Sequence, residues 1–577
     1  MAKNYTHRTT RNVTPRNVST RTREDQVLNA AGGYVFKTDD MTRLDRFLIL
    51  GTLDGTYYTT ARKLTFDNTD HILKMLKSKP CKVIDRVVET SKGGRARFND
   101  PAIYVLALAV TSNDKKVRRM ALGSLQDVCR ISTHLFTFLT YVKNLKGTTG
   151  WGRGLRNAIS HWYNDKSVKD IAYQICKYPQ RKVEGDMPWS HRDVLRKAHV
   201  VPNGTSRSLA FQYAIAGSGK DIKTYIDRDG KVQLNATQPL SLDALPCVPF
   251  DDVRYLTGHI KAKNATTVRE IISLIDEYGL VRESIPQELY NTKTVMEHLL
   301  YNMPLTQMIR TLNKMTELGV LTPFSDGTKY VCGRFMDEAA LKGARLHPMQ
   351  LLMAMKVYNL GHGIRRSFRW LGHGIRGSLR WTPVPAISDA LENAFYKSFS
   401  YVRPTGKNIL LGIDMSGSMY QKISGCDDLI TTVEGAAVMA MVIARTEPNH
   451  HLIGFDTRVY PNLGITARDR LGTVVDRIRP HGGTDCSVPI NYAMSQQWNN
   501  IDTFVILTDN DSWHGKHPYQ AVQQYRQMFR NPNAKLAVVS MTATKCSIAD
   551  PNDVNMLDIV GFDTNVPTIL NTFISGY

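Results

Sequence analysis

Two carboxylates and three hydroxyls carry the clearest chemical signal in the sequence. Asp414-Met415-Ser416-Gly417-Ser418 spaces one carboxylate and two hydroxyls at alternate positions, on a turn that Gly417 lets the chain curl round. Thr484, in His481-Gly482-Gly483-Thr484-Asp485, and Asp509, after the apolar run Phe504 to Leu507, offer two further oxygens. Such hard donors suit Mg²⁺, Mn²⁺ or Ca²⁺ and serve zinc or copper badly; Mg²⁺ is the first expectation. Five protein oxygens, some acting through water, leave a coordination position open. The plain alternative is that Asp414 and Ser416 merely cap the segment that follows. Against it, three separate segments supply compatible groups where strands of an α/β sheet end, the usual place for a ligand.

A second set of residues suits a polyanion. Lys177, Tyr178 and Arg181 put charge beside a ring that could stack on a base. In Gly154 to Tyr163 the residues Leu155, Ala158, Ile159 and Trp162 share one helical face, and Arg153, Arg156 and Ser160 fall on the other. Ser190 with Asp193 three residues on resembles a capping box, which places His191 and Arg192 in the first turn of a helix. Free N–H groups there, with both side chains, could grip a phosphate. Arg196 extends that face at i+4 from Arg192. Any one of these has a bland reading, an arginine in water or a histidine that packs. Phosphate binding is a summed effect, and the patch as a whole outweighs its members.

The elements that must hold these residues divide into two styles. From about residue 40 to 360 the apolar period is helical: Asp45 to Leu50, Pro101 to Thr111, Asp114 to Arg130, Gly154 to Tyr163, Ser190 to His199, Thr267 to Tyr278 and Thr294 to Leu299 read as helices. Short breaks such as Thr111 to Asp114 force antiparallel hairpins, the unit of a helical solenoid. After Pro404 short apolar runs, Asn408 to Asp414, His451 to Asp456, Thr503 to Asp509 and Leu536 to Met541, alternate with the helical stretches Val433 to Arg445, Ala467 to Ile478, Val488 to Trp498 and Tyr519 to Phe529. That alternation predicts a doubly wound α/β domain on a parallel sheet.

Charge divides the same way. The chain has 577 residues, 74 Lys+Arg against 52 Asp+Glu, and a net charge of +22. Residues 405–577 hold about 13 basic and 16 acidic side chains, so the whole excess lies before them. A polyanion partner is expected for the first part and a different task for the second. Residues 1–25 read as a flexible basic arm. The eight cysteines show no C-x-x-C pair and read as reduced thiols. There is no apolar leader and no run of about 18 apolar residues, so a soluble, cytoplasmic protein without membrane contact is expected. Gly361 to Trp370 is nearly repeated in Gly372 to Trp381. The Gly372-x-Gly374-x-x-Gly377 inside the second copy has no dinucleotide-fold unit round it, and a tandem duplication in a connecting segment explains it better.

Seven ordered blocks carry a family resemblance: Ala31 to Phe36, Arg43 to Leu48, Gly55 to Tyr58, Gly150 to Arg153, Trp189 to Asp193, Asn302 to Thr306 and Arg345 to Pro348. Together they resemble the TROVE module of Ro proteins, and the Asp414 motif resembles the metal-ion-dependent adhesion site of von Willebrand A domains. The resemblance implies a ring of HEAT-like helices over residues 26–385 and a von Willebrand A-like domain over 386–577. It implies as metal ligands Asp414, Ser416, Ser418, Thr484 and Asp509, and as RNA-contacting positions Lys177 to Arg181 and His191. Between those last two blocks this chain has extra residues, about Lys182 to Met187. The implied function is a non-enzymatic scaffold. It would bind small structured noncoding RNA of the Y type on an outer basic face and single-stranded RNA 3′ ends in a central hole. A monomeric ring, a 3′-to-5′ exoribonuclease partner and an acidic protein ligand at the metal complete the expectation.

Two other readings compete. A metal-dependent phosphoesterase or nuclease would need an activated water and a base, for which His481 and Asp485 lie close to Thr484. An adhesion module with an inert body leaves the basic excess of the first part without a use.

Overall fold

The computed structural model of the chain describes residues 16–29, 31–50, 61–96, 98–147, 150–181, 189–219, 239–241, 245–246, 248–344, 346, 348–363, 379–398, 404–421, 429–466, 468–479, 481–509, 512–542, 544, 546–560 and 565–575. In chain order its strands are β1 (Gln26–Leu28), β2 (Tyr34–Lys37), β3 (Gln180–Arg181), β4 (Trp189–Ser190), β5 (Ser218–Gly219), β6 (Leu240–Ser241), β7 (Ile409–Asp414), β8 (His450–Phe455), β9 (Val459–Tyr460), β10 (Thr503–Thr508), β11 (Lys535–Ser540), β12 (Cys546–Ser547) and β13 (Met556–Val560).

Between residues 40 and 397 the chain is built of helices, from Asp40–Leu50 to Pro385–Lys397. Local sequence explains their ends. Asp114 closes the hairpin between Asp100–Thr111 and Lys115–Gly123 by accepting a hydrogen bond from the Lys116 amide at 2.7 Å. The single helix expected from Asp114 to Arg130 is broken at Ser124 into Lys115–Gly123 and Leu125–Val128. Gly123 weakens a helix there, and the Ser124 hydroxyl turns back onto the Met120 carbonyl at 3.2 Å. The helices bury two apolar cores. One runs from Leu44 to Ile260; the other begins at Ala262 and continues without a gap into one face of the C-terminal sheet.

That sheet has the order β13-β11-β10-β7-β8-β9. All its pairs are parallel except β8 with β9, so it is a mixed sheet where an all-parallel one was expected. A two-residue antiparallel edge gives no period to read, which is why the sequence did not disclose it. β7 and β10 are buried along their whole length, as strands covered on both faces must be. The helix Thr432–Thr446 covers one face, and Val488–Ser495 with Pro518–Met528 the other.

The N-terminal stretches pack differently from what their place in the chain suggests. Residues 16–25, read as part of a flexible arm, are folded: Val18 is fully buried, and Arg23 pairs with Asp25 and Asp550. Residues 1–15 lie outside the described residues. β1 and β2, expected to open the helical body, form an antiparallel sheet with β12, and Val35 and Phe36 join the second core of the C-terminal domain. The segment before the helices thus packs on the C-terminal domain.

The helical run also starts and finishes there. Arg46 of Asp40–Leu50 is wholly buried and meets both carboxylate oxygens of Asp558 on β13 at 2.6 and 2.7 Å. At the far end Lys356 reaches Glu434 at 2.6 Å, and the Arg445 guanidinium lies 3.5 Å from the centre of the Tyr396 ring. Fastening both ends of a helical run to one domain closes it on itself. No described helix is long and apolar enough to cross a membrane. Of the duplicated segment, residues 364–378 lie outside the described residues; a bridge from His362 to Arg380 joins the two sides of its base.

Candidate functional site

Parallel pairing of β7 with β10 puts the C-terminal ends of two central strands side by side, and each leads to a carboxylate, Asp414 and Asp509. The turn after β7 folds tightly. The Ser416 amide donates to Asp414 Oδ1 at 2.9 Å, and the Ser416 and Ser418 hydroxyls lie 3.1 Å apart. Thr508 donates its hydroxyl to Asp414 Oδ2 at 2.5 Å, and Gln421 donates to Asp509 Oδ2 at 3.0 Å. Thr484 arrives on the loop before Val488–Ser495, where Gly482 takes a φ of +83° and its carbonyl accepts from the Gly417 amide at 3.1 Å.

The five oxygen-bearing residues expected as ligands are therefore gathered, and none is more than 3 % exposed. Burial pushes the Asp414 carboxyl up to about 7, and the neighbouring charge of Asp509 adds to the rise. The Thr484 hydroxyl is buried with no hydrogen-bond partner among the described residues. Two neighbouring buried carboxylates, beside an unpaired hydroxyl, fit a small hard cation. Among the described residues no group of three or more His, Cys, Asp or Glu side chains gathers as a metal cluster.

The groups on which a hydrolase reading depends are engaged with the protein. His481 contacts the Tyr460 hydroxyl at 2.7 Å through Nε2 and the Arg479 carbonyl at 2.8 Å through Nδ1. Asp485 accepts from the Ser487 amide at 2.9 Å and its hydroxyl at 2.6 Å.

On the helical body the expected cationic residues meet in part. Arg153 and Arg156 stand exposed on Arg153–Asn164, whose Leu155, Ile159 and Trp162 are buried. That helix packs on His191–Ala198, which exposes Arg192 and carries Arg196 one turn on. The capping box is present: Asp193 N donates to Ser190 Oγ at 3.2 Å, and Ser190 N donates to Asp193 Oδ2 at 3.1 Å. β3 pairs with β4 and sets Arg181 opposite Trp189; the extra residues, about Lys182 to Met187, lie outside the described residues. Lys177 is half-buried, donates to the Tyr173 hydroxyl at 2.7 Å and lies over the Tyr173 and Tyr178 rings.

His191 is the correction. Expected on the surface of a first helical turn, it is 2 % exposed. Nδ1 meets the Tyr163 hydroxyl at 2.7 Å, and the Phe136 ring stands edge-on at 5.0 Å. Burial lowers its pKa to about 3, so the ring is neutral and brings no charge to a phosphate. The first turn has an inner side as well as an outer one, and capping logic does not say which side a residue takes.

An aromatic cluster beside these helices draws on two of the blocks that carry the family resemblance, although nothing in the sequence shows that they meet. Lys197 lies over the rings of Trp151 and Trp189, at 5.5 and 6.0 Å from their centres, and those rings are 5.5 Å apart. A buried Trp151, a half-buried Trp189 and Lys197 thus build an aromatic and cationic cluster beside the four arginines.

Comparison with known proteins agrees with this division. A family model described as the TROVE domain matches residues 27–239 and 277–367, and one described as the Ro60 vWA domain matches 408–574. The chain is 36 % identical to the RNA-binding protein RO60 of Deinococcus radiodurans, over 96 % of both chains. It is 34 % identical to the RNA-binding protein RO60 of Caenorhabditis elegans, over 96 % of this chain and 91 % of that one. The crystal structure of the Deinococcus radiodurans Ro (Rsr) protein superposes with a TM-score of 0.65 at 35 % identity, covering 93 % of this chain and all of the other.

Proposed function

The chain belongs to the Ro family, with a TROVE helical body and a von Willebrand A domain, and from that premise we propose that it is an RNA-binding scaffold of a Ro-type ribonucleoprotein. It takes a small structured noncoding RNA of the Y type on the basic face of the helical body and single-stranded RNA 3′ ends in the ring. Its work is RNA quality control or processing, in the cytoplasm, beside a 3′-to-5′ exoribonuclease. The observation that carries the reading is the arginine set Arg153, Arg156, Arg192 and Arg196 on two packed helices, next to the stack of Lys197 on Trp151 and Trp189. Phosphates are held by summed charge, and of the two rings only the half-buried Trp189 is offered to a base, Trp151 lying in the core.

The A domain has a separate task in this proposal. Asp414, Ser416, Ser418, Thr484 and Asp509 hold a divalent cation, Mg²⁺ first. When bound, the cation offers a Lewis-acidic position open to an acidic side chain of a partner protein. Thr508 and Gln421, which donate to the Asp414 and Asp509 carboxylates, would hold them in place for it.

The test is a mobility shift with a structured RNA carrying a single-stranded 3′ tail, across a salt series. The wild type is compared with the joint variant Arg153→Ala, Arg156→Ala, Arg192→Ala, Arg196→Ala. Tight binding that depends on the tail and is weakened by the variant supports the scaffold; weak binding indifferent to both removes it.

A further inference from the structure

The segment from Arg16 to Lys37 precedes the helical body in the chain, yet it folds against the loop that follows Asp509. Two of its stretches hold that loop. Asn29 donates its side-chain amide to the Ser512 carbonyl at 2.7 Å, and a β-carbon on Gly33 would fall 2.0 Å from that same oxygen. At the other end of the loop the Val18 amide donates to the Gly515 carbonyl at 2.8 Å, and the His517 amide donates to the Arg16 carbonyl at 3.0 Å. The two stretches are joined by the Tyr34 amide donating to the Val18 carbonyl at 2.8 Å.

The loop in turn grips the segment that carries Thr484. The amides of Trp513 and His514 and the hydroxyl of Ser512 all donate to the Thr484 carbonyl, at 3.3, 3.0 and 3.4 Å. Trp513 packs so close to Gly483 that a β-carbon there would lie 2.6 Å from the indole. The Thr484 hydroxyl has no hydrogen bond of its own among the described residues, so its place is set by its backbone. Residues 512–514 hold that backbone at the Thr484 carbonyl, beside the Asp485 amide's bond to the Asp456 carbonyl at 3.0 Å and the Gly417 amide's bond to the Gly482 carbonyl at 3.1 Å.

We propose that the N-terminal segment, through Asn29 and Gly33 on the Ser512 peptide, is a positioning element for the cation site, fixing where Thr484 presents its oxygen. The inference rests on the cation reading of the five oxygens. It assigns the segment no contact with the ion. Outer partners of this kind orient metal ligands, and their loss typically costs about 10- to 100-fold in affinity.

The experiment uses the full chain and Mn²⁺, followed by calorimetric titration, with thermal melting and RNA affinity measured beside it. Asn29→Ala and Gly33→Ala are each expected to weaken Mn²⁺ binding about tenfold or more, with RNA affinity within about twofold of wild type. In a Thr484→Ala background the same changes are expected to have little further effect, because they act through that residue. Asn29→Ala adds no bulk to the contact and serves where Gly33→Ala disturbs folding. Wild-type affinity in Asn29→Ala, or a full loss that persists in the Thr484→Ala background, overturns the proposal. If wild type and Asp414→Ala bind Mn²⁺ alike, the cation reading itself falls and takes this inference with it; the Asp414→Ala arm tells that failure from the first two.

Discussion

At the end of β7 five oxygen-bearing residues stand almost wholly out of water, and the Thr484 hydroxyl among them has no partner in the described residues. On the helical body Arg153, Arg156, Arg192 and Arg196 lie at the surface, making no ion pair among the described residues. On the cation reading, burial should make the first site all-or-none: desolvation and the neighbouring Asp509 raise the Asp414 carboxyl, and such a group gains most from one countercharge. On the proposed function, exposure should make the second additive: each guanidinium would add a little, salt would weaken all of them, and no single loss would be fatal. On the proposed function, the difference separates a site that would select its ligand by geometry from a surface that would gather it by charge.

The sharpest way to break this contrast is Asp414→Ala. It is expected to reduce Mn²⁺ or Mg²⁺ affinity by about 100-fold or more in a calorimetric titration and to leave the RNA mobility shift unchanged. Loss of RNA binding along with the metal would mean the two regions are one site. Next in size, the four-arginine variant is expected to weaken RNA binding by about 30-fold at physiological salt. It should also flatten the slope of log affinity against log salt by roughly 0.7 to 0.9 for each phosphate that is no longer neutralised, with Mn²⁺ binding untouched. An unchanged slope would show that those arginines do not meet phosphate.

Acid should act on the helical body through its buried histidines. Burial holds both His191 and His259 at about 3, the latter with its Nδ1 on the Ser284 hydroxyl. Between pH 6.5 and 3 the unfolded chain therefore binds protons that the folded chain refuses. Stability from these two rings is complete above 6.5 and falls with pH, on the order of 1–2 kcal/mol each at pH 5. Thermal melting of wild type against His191→Gln from pH 7.5 to 5 reads this, and the variant should lose less over the interval. The smallest effect expected is that of Lys197→Ala, about threefold in RNA affinity, the share of one cation in a summed attraction to phosphates.

How much could be read in advance follows from the range of the interactions. Each expected strand of the A domain is present within a residue or two: Asn408 to Asp414 is Ile409–Asp414, and Thr503 to Asp509 is Thr503–Thr508. An apolar run flanked by polar turns needs no distant information. The oxygen motif was equally visible, because three of its members lie within five residues. His191 and the N-terminal segment were misread for the opposite reason. The burial of His191 depends on Tyr163 and Phe136, and Val18 is held by a loop roughly 500 positions away in the chain. A basic stretch with little apolar content reads as an arm unless the surface it covers is known.

The amino-acid sequence alone determined the two-part division, the helical and α/β styles of its halves, the basic excess of the first and the oxygen set of the second, since all of these are local patterns or sums over residues. Only the tertiary structure decided that the segment before the helices packs on the last domain, that Arg46 and Lys356 fasten both ends of the helical run there, that His191 faces inward, and that Asn29 and Gly33 stand behind Thr484. Each of these joins segments whose own propensities are silent about it, settled by which buried polar groups find partners when the surfaces close.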